Sequence, residues 1–148
     1  YSDSIVVAAF GMDEGDVSMV MAHWSTMIGT DGLDRGSKPH PRAWGTYPRV
    51  LGKYVREEGV ISLENAVHKM TQMPAEKFGI ENRGQIKKGY YADLVLFDPD
   101  TVIDGATYEN PRVGPTGMPH VIVNGVLAVR DGKPAGTRTG RALRKGQK

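Results

Sequence analysis

Residues 26–33 read TMIGTDGL, a short apolar run that ends in an acidic residue followed by glycine. The β-prone residues over 26–30 predict a short buried strand, and Asp31-Gly32 is a turn signal. An aspartate in this setting is most often a turn residue. In an α/β barrel, however, the loops after the strands form the active-site face, and there a carboxylate at a strand end indicates catalysis. Asp31 is therefore the first candidate catalytic residue.

The segment after Asp31, residues 33–47, is rich in glycine, proline and charge (LDRGSKPHPRAWGTY). Prolines 39 and 41 bracket His40, and each disfavours helix in the residue before it. We therefore expect a stiff, extended loop that presents His40 and Arg42. The flat guanidinium of Arg42 matches a carboxylate through two hydrogen bonds, which a lysine does not. Two alternatives stay open: Arg42 as a solvated surface group, and His40 in a structural hydrogen bond.

Helix signals dominate the first half of the chain. Residues 5–10 form an apolar run that suits a buried strand, and Asp13 is placed to cap a helix through about His23. Apolar residues at helical spacing predict amphipathic helices over 47–58 and 63–70, with a short helical turn over 74–78. Gly59 and Gly79 are expected to end helices and Ser62 to begin one.

Strand signals dominate the rest. Residues 92–97 are predicted to form a strand, and residues 120–133 a hairpin around Asn124-Gly125, the preferred pair for a type I′ turn. The change of pattern predicts two domains, residues 1–81 and 82–148. The sheet of the second domain is thin, and little of the chain remains to cover its two faces.

The composition excludes several classes of protein. The 19 basic and 17 acidic residues give a formal net charge of +2, too balanced to indicate a nucleic-acid or membrane partner. The chain has no cysteine, so disulfides and thiolate zinc sites are excluded. No run approaches the ~18 apolar residues of a membrane span. We expect a cytoplasmic protein.

Four motifs in order resemble those of one enzyme family: TDG (30–32), HPR (40–42), GTYPRVL (45–51) and GQIKKGYYADLVLFD (84–98). Together they are similar to the C-terminal third of the N-acyl-D-amino-acid deacylases, or D-aminoacylases, of the amidohydrolase superfamily. These are zinc-dependent (β/α)8-barrel hydrolases. The resemblance covers nearly the whole chain. The last motif is shared across amidohydrolases, whereas the combination of the first three points to the D-aminoacylase branch.

The resemblance implies an α/β fold that is part of a longer enzyme. Residues 1–81 would supply the last one or two barrel strands with their helices, residues 26–30 being the eighth strand. Residues 82–148 would supply the C-terminal part of a small β-sandwich, which the N-terminal segment of such enzymes completes. The expected partners are the remainder of the enzyme or other copies of the chain, through exposed strands.

The resemblance also implies a reaction and its residues. The enzyme would hydrolyse an N-acyl-D-amino acid to a carboxylate and a D-amino acid. Asp31 would lie at the metal, take a proton from the metal-bound water and pass it to the leaving amine. Arg42 would bind the substrate α-carboxylate, and His40 would line the pocket. Met12 would line the side-chain pocket, with a core methionine as the alternative.

Zinc is the implied cofactor, yet its main ligands are not expected within this chain. The four histidines include no His-x-His pair, and there is no cysteine. The 148 residues alone are therefore expected to be inactive. Two other functions remain open: a cyclic-amide amidohydrolase of the dihydropyrimidinase or dihydroorotase type, and a non-catalytic β-rich binding or assembly module. The former gives no reason for the HPRAWGTYPR segment, and the latter predicts a compact monomer that unfolds cooperatively.

Overall fold

The computed structural model describes residues 11–144. Helices precede strands along this part of the chain, as predicted. The helices are α1 (Glu14–Ala22), α2 (Arg42–Arg49), a π-helix (Val50–Glu57) that continues α2, α3 (Leu63–Met70) and α4 (Gln72–Phe78). The strands are β1 (Leu94–Leu96), β2 (His120–Val123), β3 (Val126–Arg130) and β4 (Lys133–Pro134). The strand predicted over 5–10 lies outside the described residues.

The predicted helix ends are confirmed where local chemistry sets them. The Asp13 carboxylate accepts a hydrogen bond from the Gly15 N–H (2.8 Å) at the start of α1. Ser62 accepts one from the Asn65 N–H (3.2 Å) at the start of α3. Gly59 and Gly79 follow helices with φ values of +63° and +65°, which glycine adopts without a Cβ penalty.

The start of α2 corrects the prediction of an extended loop through residue 47. Pro41 has φ −57° and ψ −23°, and Arg42 is the first residue of the helix. Proline tolerates this position because its φ is already helical and its missing N–H is not needed in the first turn. Arg42 therefore projects from a helix N-terminus, whereas His40 lies just before it.

Residues 26–30, predicted to form a strand, have no regular secondary structure within the described residues. This segment has no β-ladder partner among residues 11–144. Its Ile28 N–H instead donates to the Lys69 carbonyl (3.2 Å), in the last turn of α3. Strand propensity alone forms no strand when no neighbouring strand supplies the hydrogen bonds.

The four strands form one antiparallel sheet in the order β1-β2-β3-β4. Asn124 and Gly125 join β2 to β3 with φ values of +51° and +80°, the left-handed pair that a type I′ turn requires. The predicted hairpin is therefore confirmed. β1 pairs with β2 along one side only, so its other edge carries no strand within the described residues.

The core lies among the helices rather than on the sheet. Its fully or nearly buried members are Met21, Val50, Leu51, Tyr54, Ile61, Ala66 and Val102. Val102 follows β1 in the chain, yet it packs against the helices and is 0% exposed. The boundary predicted near residue 81 stays a prediction. No helix in residues 11–144 combines the length and apolarity needed to cross a membrane.

Candidate active site

Asp31 and Arg42 form an ion pair at the start of α2. The Arg42 Nη2 donates to Asp31 Oδ2 at 2.7 Å, and the Nε donates to the Asp31 carbonyl oxygen at 2.8 Å. Asp31 has a φ of +44°, a left-handed conformation that aspartate tolerates better than most residues. Both side chains reach solvent, Asp31 at 82% exposure and Arg42 at 41%. The carboxylate is thus held at a fixed place yet open to a reactant.

Close packing of the loop on α2 brings these two residues together. A Cβ on Gly32 would lie 2.9 Å from the Ala43 Cα, closer than real Cβ contacts. Glycine therefore allows the backbone after Asp31 to pass directly against the first turn of the helix. This contact between the backbones at residues 32 and 43 places Asp31 next to Arg42.

His40 joins the ion pair to a distant part of the chain. Its Nδ1 accepts a hydrogen bond from the Arg42 N–H (3.1 Å), so the neutral ring carries its proton on Nε2. Nε2 lies 2.9 Å from the Tyr108 hydroxyl, to which it donates. Burial lowers the pKa of His40 from its usual 6.5, and the Arg42 charge lowers it further against an opposing effect of Asp31. His40 is therefore neutral at pH 7 and acts here as a hydrogen-bonding residue.

Arg112 holds the loop between Asp31 and His40. Its Nε and Nη2 donate to Asp34 Oδ1 (3.2 and 2.8 Å), while Nη1 donates to the Ser37 carbonyl (2.8 Å) and Nη2 to the Gly36 carbonyl (2.9 Å). The guanidinium also lies over the Trp44 ring, 5.8 Å from its centroid. Sequence reasoning missed this residue and Tyr108, because the Pro/Gly-rich segment that carries them gives no local sign of its distant contacts.

A buried lysine supports the segment that leads to Asp31. Lys69 is 5% exposed, and its Nζ donates to the His23 carbonyl, the Thr26 carbonyl (2.9 Å) and Thr26 Oγ1 (3.2 Å). These three acceptors match the three donors of an ammonium group. A lysine on a predicted helix gave no sequence signal for this role.

Met12 lies apart from this cluster along the chain, just before α1, and is 78% exposed. The alternative of a core methionine is therefore wrong for the described residues. Its role in a side-chain pocket stays a prediction.

The described residues do not fit a zinc site. Residues 11–144 contain no group of three or more histidine, aspartate or glutamate side chains placed to hold a metal ion. Asp31 alone is one carboxylate, and its observed partner is a cation. A structural or catalytic zinc needs at least three protein ligands.

The family of the chain is now clear from comparison with known proteins. The model of the amidohydrolase family matches residues 18–129, and the chain belongs to that family. D-aminoacylase from Alcaligenes xylosoxydans xylosoxydans is 50% identical over 134 residues, which are 90% of this chain and 28% of that protein. The resemblance to D-aminoacylases is confirmed.

Solved structures agree with this similarity. A crystal structure of D-aminoacylase superposes with a TM-score of 0.88 and 51% identity over 90% of this chain and 28% of that one. The structure of N-acyl-D-glutamate deacylase from Bordetella bronchiseptica, complexed with zinc and a phosphonate inhibitor, superposes with a TM-score of 0.79 and 46% identity. This match covers 84% of this chain and 27% of that one. The chain thus spans little more than a quarter of the length of these two proteins.

Proposed function

We propose that this chain is the C-terminal part of a zinc-dependent hydrolase that cleaves N-acyl-D-amino acids to a carboxylate and a free D-amino acid. The observation that carries the proposal is the Asp31–Arg42 pair, formed by two motifs of the D-aminoacylase resemblance, in a chain about half identical to such an enzyme. In this proposal residues 26–30 pair with barrel strands that lie outside the described residues, and the sheet belongs to a β-sandwich.

Asp31 is proposed as the proton carrier of the reaction. Hydrolysis adds water to the amide carbonyl, breaks the C–N bond and leaves a proton on the departing amine. A carboxylate within hydrogen-bond reach accepts the water proton and returns it to that nitrogen. The exposure of Asp31 leaves its oxygens open to such a reactant, and its bond to Arg42 keeps them in one place.

Arg42 is proposed to bind the substrate carboxylate while it also holds Asp31. A guanidinium has five N–H donors, and the two contacts with Asp31 use Nε and Nη2. Within the described residues Nη1 has no partner, so a carboxylate can add there without displacing Asp31. Such an arrangement would place the amide of an α-amino acid near the Asp31 oxygens. His40 and Met12 are proposed as pocket residues.

In this proposal zinc would be held by ligands from polypeptide outside residues 11–144, and Asp31 is the residue of this chain that would lie at the metal. The zinc complex of N-acyl-D-glutamate deacylase supports a metal-dependent reaction. The substrate is a small N-acyl-D-amino acid, and the cytoplasmic location stays a prediction.

The test is an assay of the full-length protein with zinc added. N-acetyl-D-amino acids, their L enantiomers and dihydroorotate are offered in parallel, and release of free amine or ring opening is followed. We expect turnover of the D substrates and loss of that turnover on chelation. Turnover of dihydroorotate alone would overturn the proposal in favour of the cyclic-amide alternative.

That alternative has weaker support. Dihydroorotase from Lactobacillus gasseri is 46% identical over only 46 residues, 31% of this chain and 11% of that protein. The non-catalytic module is disfavoured by the sheet, where Val95, Leu96 and Val126 are 46%, 51% and 47% exposed. Apolar residues left open on a sheet indicate surface that another segment covers.

A further inference from the structure

The loop over residues 33–41 carries no helix or strand, and most of its residues are exposed. Such a loop needs contacts from elsewhere to keep one conformation. The structure supplies them from a segment 68 or more residues further along the chain. Tyr108 meets His40 at one end of the loop, and Arg112 meets Asp34 at the other.

Arg112 is surrounded by acceptors in a way that suits a guanidinium. Asp34 receives two donors, and the Gly36 and Ser37 carbonyls receive one each. Lysine keeps the charge but lacks the planar fork that serves these directions at once. The side chains of Arg112 and Asp34 are 43% and 54% exposed, so the ion pair is screened by water. The contact therefore fixes the loop mainly through the directions of its hydrogen bonds rather than through the attraction of the two charges.

The same arginine contacts the helix that carries Arg42. Its guanidinium lies over Trp44, two residues after Arg42 in α2. The backbone N–H of Arg42 is itself bonded to His40, which Tyr108 holds. Arg112 therefore touches both the loop and helix α2, and Tyr108 touches the loop at His40, whose ring holds the first N–H of that helix.

We infer that Arg112 is a positioning residue that sets where Arg42 meets the carboxylate of the substrate, with Tyr108 acting through His40 as its second point of contact. This inference rests on the proposed function. Arg112 acts through the loop and helix that it holds. Misplacement of a binding group by about 1 Å costs on the order of a hundredfold in kcat/KM, so a modest shift of the loop is measurable as a higher KM.

The experiment compares two substrates in the full-length protein. One is an N-acetyl-D-amino acid, and the other is its C-terminal amide, which lacks the carboxylate. For Arg112→Ala we expect KM of the acid to rise about tenfold or more, with kcat and the KM of the amide little changed. Arg112→Lys should not restore the wild-type KM. Arg138→Ala, at an exposed position in the β part, is the control.

A purely structural role would move both substrates together, and equal changes in KM for acid and amide would overturn the inference. Unchanged kinetics would overturn it as well. If Arg112→Ala does not fold, Asp34→Asn replaces it, since that change removes the charge of the acceptor and keeps its shape. Asp34→Asn should also raise the KM of the acid selectively, but by less than Arg112→Ala does. An equal rise in the KM of the amide would overturn the inference.

A second measurement separates this inference from the proposed function. Trypsin cleaves after Arg35 in the loop but not after Lys38, which proline follows. Faster cleavage after Arg35 in Arg112→Ala than in Arg138→Ala supports the hold on the loop. An unchanged rate overturns it. If the wild-type protein hydrolyses no N-acyl-D-amino acid, the proposed function fails, and this rate still decides whether Arg112 holds the loop.

Discussion

Two aspartates occupy the same local setting in two regions of the molecule. Asp31 and Asp131 each precede a glycine, have φ values of +44° and +50°, and are 82% and 81% exposed. Asp31 meets the Arg42 guanidinium at 2.7 Å, whereas Asp131 lies 3.9 Å from His120 in the turn between β3 and β4. Local sequence therefore cannot tell a turn aspartate from a candidate catalytic one. The residue brought to it from elsewhere makes the difference.

Replacing each aspartate singly by asparagine is the strongest test of this comparison. Asparagine keeps the size of the side chain and tolerates the left-handed backbone, so Asp31→Asn changes chemistry with little strain. In the full-length protein we expect kcat on N-acetyl-D-amino acids to fall about 10²–10⁴-fold, the range for loss of a general acid–base group. The measurement is steady-state release of free amine.

Asp131→Asn is the matched control, and its kcat should stay within about twofold of the wild-type value because a surface change of this kind has little effect. An Asp31→Asn enzyme with wild-type kcat would contradict the proposed role. An equal loss in both variants would mean that the effect is not specific to Asp31, which also contradicts the proposed role.

The helical region and the sheet also differ in how their apolar residues are packed. Among the helices a cluster of apolar residues is buried, and it takes in Val102 from beyond β1, although Met19 and Phe78 on the helices stay more than half exposed. On the sheet Val95, Leu96 and Val126 stay about half exposed. The helical region thus has a buried core within the described chain, whereas the sheet has no fully buried residue in its strands and has an open edge at β1. This contrast favours a chain that completes its sheet with other polypeptide.

A pair of valine truncations sharpens that contrast. Val102→Ala removes two methyl groups from a fully buried position and should lower the free energy of unfolding by about 2–3 kcal/mol. Val126→Ala, at 47% exposure, should cost less than about 0.5 kcal/mol in the 148-residue chain. Urea unfolding followed by tryptophan fluorescence measures both. A cost for Val126→Ala that grows in the full-length protein would indicate that another segment covers the sheet there.

Two glycines, Gly52 in the helical region and Gly125 in the sheet, are expected to be required for different reasons. A Cβ on Gly52 would lie 2.3 Å from Ile103 Cδ1 and 2.6 Å from the Val102 carbonyl oxygen. Gly52→Ala should therefore destabilise the chain by about 1–3 kcal/mol through overpacking, despite the better helix propensity of alanine. Gly125 has open space but a φ of +80°, so Gly125→Ala should cost about 1–2 kcal/mol through backbone strain.

Thermal unfolding of the two variants measures these costs. A double variant with Ile103→Val should recover part of the loss at Gly52, because it removes the nearest clashing atom, and none of the loss at Gly125. Recovery at neither position would place the clash at the Val102 backbone instead.

The sequence predicted the features that short-range chemistry determines. Asp13, Ser62 and Gly79 end or begin helices through their own hydrogen bonds or φ values, and Asn124-Gly125 forms its turn without distant help. The start of α2 was missed because Pro41 fits both an extended segment and a first helical turn. Its conformation depends on packing that the pattern does not contain.

The candidate site shows the same division. Asp31, His40 and Arg42 were found from motifs within 12 residues of one another, and the structure brings them together. Tyr108 and Arg112 reach the same place across 68 and 78 residues. Their contacts depend on how the second half of the chain folds back onto the first, and no local period or cap records that path.

The smallest expected effect is on the pH dependence of the free energy of unfolding, for which two glutamates with lowered pKa values are compared. Hydrogen bonds from Lys53 and then Tyr54 lower the pKa of Glu14 below its usual 4.5, against an opposing effect of burial. The pKa of Glu109 is lowered by its own backbone N–H and then by the Thr107 hydroxyl. The partners of Glu14 are 39 and 40 residues away, so unfolding removes them. Those of Glu109 are local and can persist in the unfolded chain.

Because the folded-state pKa of Glu14 lies below 4.5, its stabilisation is fully present above pH 4.5 and is lost as the pH falls through the lowered value. Glu14→Gln should therefore lower the unfolding free energy at pH 7 by less than about 1 kcal/mol, since the side chain is 66% exposed. The difference from wild type should vanish at low pH. Tyr54→Phe should remove part of the same pH-dependent difference. A larger pH-dependent effect for Glu109→Gln would show that local hydrogen bonds contribute more to the pH dependence of folding than the long-range contacts between α1 and the π-helix.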